Sequence, residues 1–203
     1  MIYRWWKDLK DQLANISKPC LYSKDTDAHT QCFQDFQGTL SVGKDSYISK
    51  DTHLSGNIVI GNHCMIGKGV IIRGNVVIYD HVRIGYGVEI KDSIIKENTT
   101  IGPLCYIGDS LVEKNVYLGA LVRTSNHRLD RANINSWNGE FYENTDLEKL
   151  GAWIKENTNL GVGVVILPGR IVPESSSFTP NTVITKNYPP GIYKMIQNII
   201  KID

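Results

Sequence analysis

The stretch Gly56–Ile90 reads GNIVIGNHCMIGKGVIIRGNVVIYDHVRIGYGVEI, and an isoleucine recurs in it every six residues. These are Ile60, Ile66, Ile72, Ile78, Ile84 and Ile90. A helix repeats its buried face about every three to four residues and a strand about every two, so neither explains this period. The apolar positions extend from Val42 to Leu118 with two steps short by one, and they resume from Ile154 to Ile184.

The third residue after most of these apolar positions is a type that tolerates a left-handed backbone. The set includes Asp45, Asn57, His63, Gly69, Asn75, His81, Gly87, Asn98, Asn115, Asn157, Gly163, Gly169, Ser175 and Asn181. Each hexapeptide therefore combines a short strand with a corner, and three hexapeptides close one triangular coil. The repeat predicts an all-β protein, a parallel β-helix whose isoleucines stack in columns.

The repeat divides the chain into five parts. They are 1–40, an N-terminal helix and irregular lead-in; 41–127, a first β-helix block; 128–153, an inserted loop; 154–188, a second block; and 189–203, a C-terminal helix. Residues 2–16 have the apolar spacing of an amphipathic helix, which we expect to pack against an end of the β-helix or a partner subunit; the alternative is a membrane-interface anchor through Trp5 and Trp6. The C-terminal helix is expected to cap the other end, since an open end is an unpaired sheet edge.

The composition is 41% hydrophobic and 21% charged with a formal net charge of +1, and no long apolar run or leader is visible. We therefore expect a cytoplasmic protein with no nucleic-acid partner and no membrane span. Cys64 and Cys105 fall on inward repeat positions, and Cys20 and Cys32 lie in the lead-in. No Cys/His cluster has metal-ligand spacing, so we predict neither a disulfide framework nor a metal site.

The loop is polar but contains Trp137, Phe141 and Tyr142, which favours an ordered arm. The segments 71–130, beginning IIRGNVV, and 149–169, KLGAWIKENTNLGVGVVILPG, resemble the acetyltransferase half of bifunctional sugar-1-phosphate nucleotidylyltransferase/acetyltransferases. Those enzymes belong to the left-handed hexapeptide-repeat acyltransferase family. The resemblance covers roughly residues 55–187. It implies a left-handed coil, a homotrimer with an arm that reaches a neighbouring subunit, acetyl-CoA as co-substrate, and a sugar nucleotide or sugar phosphate as acceptor.

The resemblance also implies a set of binding residues. The family's R-x-G, VE-x-K and Y-[IVL]-G-D motifs place Arg73, Lys91 and Tyr106 on the sugar and its phosphate. Asn126 matches the family's loop Asn, and Lys149 matches the Lys before its final coils. Gly161 and Gly163 are assigned to acetyl-CoA. Charged donors suit phosphate oxygens, and a Tyr hydroxyl can orient a sugar. The alternative is that these charged side chains are merely solvated outer positions of the coil.

One departure concerns catalysis, because Pro103 stands where the family has the His that deprotonates the acceptor. Loss of a general base costs about 10²–10⁴ in rate. Either another base serves, the acceptor differs, or the protein is a catalytically silent sugar-nucleotide-binding or scaffold protein.

His127 is the candidate base, because TSNHRLD resembles the step that bears the catalytic His in galactoside and maltose acetyltransferases. An imidazole with a pKa near ~6.5 suits this role, and Asp130 is close enough in sequence to orient it. Alternatively, His127 occupies the same corner position as His63 and His81 and is there for its backbone.

Overall fold

The coils of the β-helix have three sides in a computed structural model that describes residues 2–16 and 38–196. Strands on each side pair in parallel with those of the coils above and below. The first side consists of the first halves of β3 (His53–Ile60) and β5 (Ile71–Ile78), then β7 (Glu89–Lys91), β10 (Tyr106–Gly108), β13 (Arg123–Thr124), β18 (Val165–Ile166) and β21 (Val183–Ile184).

The other two sides are built in the same way. The second side consists of β1 (Gly38–Val42), the second halves of β3 and β5, β8 (Ile94–Ile95), β11 (Leu111–Val112), β16 (Ala152–Ile154) and β19 (Arg170–Val172). The third side consists of β2 (Tyr47–Ile48), β4 (Met65–Ile66), β6 (Arg83–Ile84), β9 (Thr100–Ile101), β12 (Tyr117–Leu118), β17 (Asn159–Leu160), β20 (Ser177–Phe178) and β22 (Ile192–Tyr193).

The apolar column that defines the repeat forms the core. Every isoleucine from Ile60 to Ile90 at the six-residue spacing is at most 3% exposed. The second inward positions, among them Cys64, Val70 and Val76, are also buried. Each buried Ile contributes about 1.5–3 kcal/mol of transfer free energy. The predicted parallel β-helix is confirmed.

Most predicted corners have a left-handed backbone, but two lie one residue earlier than expected. Gly56 and Gly74 have positive φ angles of 103° and 78°, whereas Asn57 and Asn75 do not. The two asparagines instead continue the strands, and the Asn57 amide donates a hydrogen bond of 2.9 Å to Asn75. Strands β3 and β5 therefore run unbroken around the corner between the first and second sides.

The N-terminal helix α1 (Trp5–Ile16) is present as predicted, but it does not pack on an end of the coil. Its buried face is Trp5, Trp6, Leu9 and Leu13. It covers the outward column of the second side, formed by Val77, Ile94, Leu111, Trp153 and Ile171. Because that column is apolar, the side of the coil offers the helix a hydrophobic stripe. No helix among residues 2–16 and 38–196 is long and apolar enough to span a membrane.

The predicted C-terminal helix is wrong where the structure describes it. Ile192–Tyr193 is strand β22, which pairs with Ser177–Phe178 on the last coil. The Tyr193 ring stacks on Phe178 with centroids 4.7 Å apart. The open edge of the coil is satisfied by another strand, which outweighs the helical spacing of the tail. Residues 197–203 lie outside the described residues, as do Cys20 and Cys32.

The inserted segment 128–149, here called the arm, contains a hairpin of β14 (Asn135–Trp137) and β15 (Tyr142–Asn144). It packs on the helix of its own chain. The Trp5 indole donates a hydrogen bond of 2.9 Å to the Ser136 hydroxyl, and Arg4 pairs with Glu143 at 2.8 Å. The helix, the arm and the second side thus form one packed unit.

Candidate functional site

Two of the predicted binding residues lie next to each other on the outside of the first side. Arg73 lies opposite Lys91, and Lys91 lies opposite Gly108. Adjacent strands of a sheet are about 4.8 Å apart, so these positions form a close column. The Arg73 guanidinium also binds Glu89 at 2.8 Å. The column ends at the corner between the first and second sides.

Asp109 is the centre of the polar cluster at this corner. Its side chain is 3% exposed and accepts hydrogen bonds from the ammonium groups of Lys10 at 2.9 Å and Lys91 at 3.2 Å. It also accepts a hydrogen bond of 2.7 Å from the Asn126 amide. One buried carboxylate therefore connects the helix, the first side and the base of the arm. Sequence reasoning missed this role, although Asp109 is the acidic residue of the Y-[IVL]-G-D motif.

Lys91 is held as a cation between two carboxylates. Its second partner is Asp92, at 2.9 Å. Burial lowers the pKa of Lys91, but the Asp92 and Asp109 carboxylates outweigh burial, and the net effect raises the pKa above its usual value. A ligand phosphate at Lys91 would therefore share the ammonium with two resident anions.

Tyr106 folds back over its own strand towards this cluster. A Cβ atom at Gly108 would lie 2.6 Å from the Tyr106 hydroxyl oxygen, so the phenol lies directly over this glycine. Burial raises the pKa of Tyr106 above its usual value. The hydroxyl therefore stays protonated at neutral pH and can donate a hydrogen bond.

The base of the arm brings together the three remaining polar residues. The chain leaves the coil at Asn126 and returns at Leu150, whose backbone amide donates to the Asn126 carbonyl at 3.0 Å. His127 and Lys149 form an antiparallel bridge beside this hydrogen bond. The side chain of Asn126 is fixed by Asp109, whereas His127 is exposed.

The structure corrects two expectations about His127. His63 and His81 are left-handed, with φ angles of 55° and 60°, whereas His127 is not, so backbone geometry does not account for this histidine. Asp130 was expected to orient His127, but it accepts a hydrogen bond of 2.8 Å from Arg128 instead. The guanidinium is the stronger competitor for the carboxylate because the pair is charge-assisted.

His127 opens onto a groove between the arm and the second block, with a volume of about 590 Å³. This arm groove is lined by His127, Arg128, Ile134, Leu167, Pro168 and Arg170, among others. Arg170 was missed from the sequence. Its guanidinium donates to the carbonyl groups of Pro168 and Asn135, each at 3.1 Å.

The column formed by Arg73, Lys91 and Gly108 does not line the arm groove, but the next position along the same side does. Ser125 lines the groove and follows directly after β13, which pairs with the Tyr106 strand. It lies two coils beyond Lys91, or roughly 10 Å at the usual strand spacing. His127 and the column therefore share one corner without direct contact between the imidazole and Lys91.

The predicted acetyl-CoA residues lie at a different corner, between the third and first sides. A Cβ at Gly161 would lie 2.6 Å from the Pro180 nitrogen, and Gly163 has a φ of 71°. Coil packing thus accounts for both glycines, and their contact with acetyl-CoA stays a prediction. Pro103 is at this corner too, since its carbonyl accepts from the Leu121 amide at 2.9 Å. Within one chain, His127 does not occupy the place of the missing base.

Comparison with known proteins supports the resemblance seen in the sequence. Residues 36–193 match the family model described as the GMPPB C-terminal domain. The uncharacterized acetyltransferase YaiX of Escherichia coli O6:K15:H31 is 43% identical over 112 residues, which cover 55% of this chain and 49% of YaiX. The chain thus spans about half the length of this relative.

A bifunctional sugar-1-phosphate nucleotidylyltransferase/acetyltransferase of Sulfurisphaera tokodaii is 29% identical over 102 residues, or 50% of this chain and 25% of that protein. The polysialic acid O-acetyltransferase OatWY has a TM-score of 0.49 and 21% identity, covering 76% of this chain and 81% of its own. Because the family model extends over more than half of the sequence, the chain belongs to the GMPPB C-terminal domain family of hexapeptide-repeat β-helix proteins.

Proposed function

We propose that this protein transfers an acetyl or other acyl group from a CoA thioester to an amine or hydroxyl of a nucleotide sugar or sugar phosphate. The names of its relatives support the reaction class, since YaiX is named an acetyltransferase and the Sulfurisphaera protein a nucleotidylyltransferase/acetyltransferase. The observation that carries the proposal is that six polar residues lie along successive coils at one corner, of which His127 reaches the arm groove; they are Arg73, Lys91, Tyr106, Asn126, His127 and Lys149.

The binding roles follow from the chemistry of these groups. Arg73 and Lys149 supply charged donors to phosphate oxygens, and the protonated Tyr106 hydroxyl donates to the sugar. Asp109 neutralises Lys91 and fixes the Asn126 amide, so these two side chains are positioned before the ligand arrives. Preorganisation of this kind lowers the cost of ordering the site on binding.

In the reaction, His127 accepts the proton of the acceptor amine or hydroxyl while that atom attacks the thioester carbonyl. The tetrahedral intermediate collapses, the carbon–sulfur bond breaks, and the CoA sulfur leaves and takes the proton from His127, which restores the base. His127 suits this step because it is exposed at the groove and an imidazole accepts protons near neutral pH. Gly161 and Gly163 are the residues we assign to acetyl-CoA.

Because the acetyl-CoA residues and His127 lie at different corners, we also propose that the active unit is a homotrimer. Closed rotational symmetry would bring the corner between the third and first sides of one protomer beside the arm of the next. Each site would then lie between protomers. We propose a cytoplasmic location for this trimer, on the basis of composition alone.

Two observations favour a second function, a catalytically silent sugar-nucleotide-binding protein on the same fold. Pro103 stands at the family's base position, and the Lys91 ammonium is engaged by both Asp92 and Asp109. Such a protein would bind sugar nucleotides without consuming acetyl-CoA. The two functions therefore differ in product formation and not in sugar binding.

The test is incubation of the full chain with acetyl-CoA and a panel of UDP-, dTDP- and GDP-sugars, with mass spectrometric detection of the acylated sugar and calorimetry for binding. We expect an acylated product from at least one sugar nucleotide. Binding without product from any acceptor would favour the silent protein, and neither binding nor product would contradict both functions. A stable monomer in sedimentation would contradict the trimer.

A further inference from the structure

A second cavity lies between the arm, the second side and the segment after the last coil. It has a volume of about 370 Å³ and shares no lining residue with the arm groove. Small-molecule sites usually measure about 300–1,000 Å³, so its size is sufficient for a ligand of that class. Its walls come from the segment before the helix, the arm, the second side and the segment after the last coil. No residue of the proposed acyl-transfer site lines it.

Aromatic rings make up much of the wall. They belong to Tyr3, Trp137, Trp153 and Tyr188. Tyr3 meets Trp153 edge to face, with ring centroids 5.3 Å apart. The Trp153 nitrogen donates to Glu113 at 2.8 Å, which fixes the indole. Fixed aromatic walls provide apolar area with little conformational entropy to lose on binding.

The charged groups in the wall neutralise each other. Lys155 pairs with Glu174 at 2.9 Å, and both line the cavity. The Lys155 ammonium also lies 5.0 Å from the centre of the Trp153 ring. The face of Trp153 that would attract a foreign cation is therefore taken, and among the described residues that line the wall no unpaired charge would attract an anion.

The wall also contains a polar group without a partner. The side-chain oxygen of Asn187 accepts a hydrogen bond of 2.9 Å from the backbone amide of Ile171, and this bond fixes the orientation of the Asn187 side chain. Its nitrogen is buried and has no hydrogen-bond partner among the residues that the structure describes. Buried donors are nearly always satisfied, so this nitrogen is an exception in the wall of the cavity.

A ligand for this cavity should combine apolar faces with several uncharged hydroxyl groups. A neutral pyranose ring has this chemistry, since its C–H faces can pack on aromatic rings and its hydroxyls can bond to the Lys155 ammonium and the Glu174 carboxylate. We propose that this cavity binds a neutral sugar residue of a glycan, separately from the nucleotide sugar at the acyl-transfer site. The inference does not rest on the proposed function.

The test is titration of the full chain with neutral probes, namely glucose, galactose, mannose and N-acetylglucosamine, followed by saturation-transfer NMR and calorimetry. Glucuronic acid and glucosamine serve as charged probes. We expect at least one neutral probe to bind and to be preferred over both charged ones. Failure of every neutral probe, or tighter binding of a charged probe, would overturn the proposal.

Variants locate the binding. Glu174→Gln and Trp137→Ala should each weaken binding of the neutral probe about tenfold or more. The first variant removes a charged hydrogen-bond acceptor, and the second removes part of the aromatic wall. Tyr117→Ala is the control, since that aromatic residue is exposed on the third side. Circular dichroism checks folding, and Lys155→Met replaces Trp137→Ala if the latter unfolds. Unchanged affinity in the folded cavity variants would overturn the assignment.

Discussion

Replacing the buried carboxylate with its amide, Asp109→Asn, tests whether one residue joins the helix to the candidate site. The change keeps the shape of the side chain but removes its charge. Lys10 and Lys91 then lose an anionic partner, and Asn126 can face an amide nitrogen instead of an oxygen. We expect the helix to loosen and the base of the arm to lose its fixed geometry.

The expected loss in the free energy of unfolding depends on how exposed Lys10 and Lys91 are. Breaking a fully buried ion pair costs about 3–5 kcal/mol, and each charge-assisted hydrogen bond is worth about 1.5–3 kcal/mol. The Lys10 side chain is 36% exposed and recovers water, whereas Lys91 is 17% exposed and keeps Asp92. The partial compensation reduces the expected loss in the free energy of unfolding to about 2–4 kcal/mol.

Urea unfolding, followed by tryptophan fluorescence and circular dichroism, measures this loss. Glu156→Gln is the matched control, because its pair with Lys114 is exposed and should be worth at most about 1 kcal/mol. The midpoint should fall clearly for Asp109→Asn and little for the control. If both variants unfold at the wild-type midpoint, Asp109 does not hold the helix and the arm together.

Three further changes have defined outcomes. Arg73→Ala should weaken sugar-nucleotide binding by about 1.5–3 kcal/mol in calorimetry, whereas the control Arg83→Ala on the third side should bind like the wild type. Wild-type affinity in Arg73→Ala would remove Arg73 from the site. Burial alone would raise the pKa of Asp92, but hydrogen bonds from the Asn75 backbone amide and the Lys91 ammonium outweigh burial, and the net effect lowers the pKa. The charged form therefore stabilises the fold above about pH 4 and this stability is lost as the pH falls, so Asp92→Asn should flatten the acid limb of the unfolding midpoint. Trp5→Ala should cost about 3–5 kcal/mol in urea unfolding, because the side chain is completely buried, and a loss below about 1 kcal/mol would contradict the packing of the helix.

The β-helix was predictable because its information is local and periodic. Each hexapeptide contains its own inward residue and corner, and the predicted residues from Ile60 to Ile90 are buried. The position of the N-terminal helix was not predictable in this way. Its partner stripe consists of outward residues such as Val77, Ile94 and Leu111, which are separated by a whole coil in the sequence. The hexapeptide repeat specifies inward residues and corners and carries no information about a partner for the outward residues.

The tail shows the opposite limit. Its helical spacing is real, but the unpaired edge of the last coil determines that Ile192–Tyr193 pairs as a strand. For the site, Arg73 and Lys91 are neighbours on adjacent coils, and their role in sugar binding stays a prediction. The role of Asp109 depends on Lys10, which is 99 residues away in the sequence, and a local sequence pattern cannot link residues so far apart.

The assignment of His127 as the base of acyl transfer is the central claim, and its most direct test is the rate of product formation by His127→Asn. His81→Asn is the control, because asparagine tolerates the left-handed backbone at that corner. With a sugar nucleotide that the wild type acylates, kcat should fall at least about a hundredfold, or roughly 3 kcal/mol, for His127→Asn and stay near wild type for His81→Asn. A kcat for His127→Asn within a few-fold of wild type would contradict the assignment.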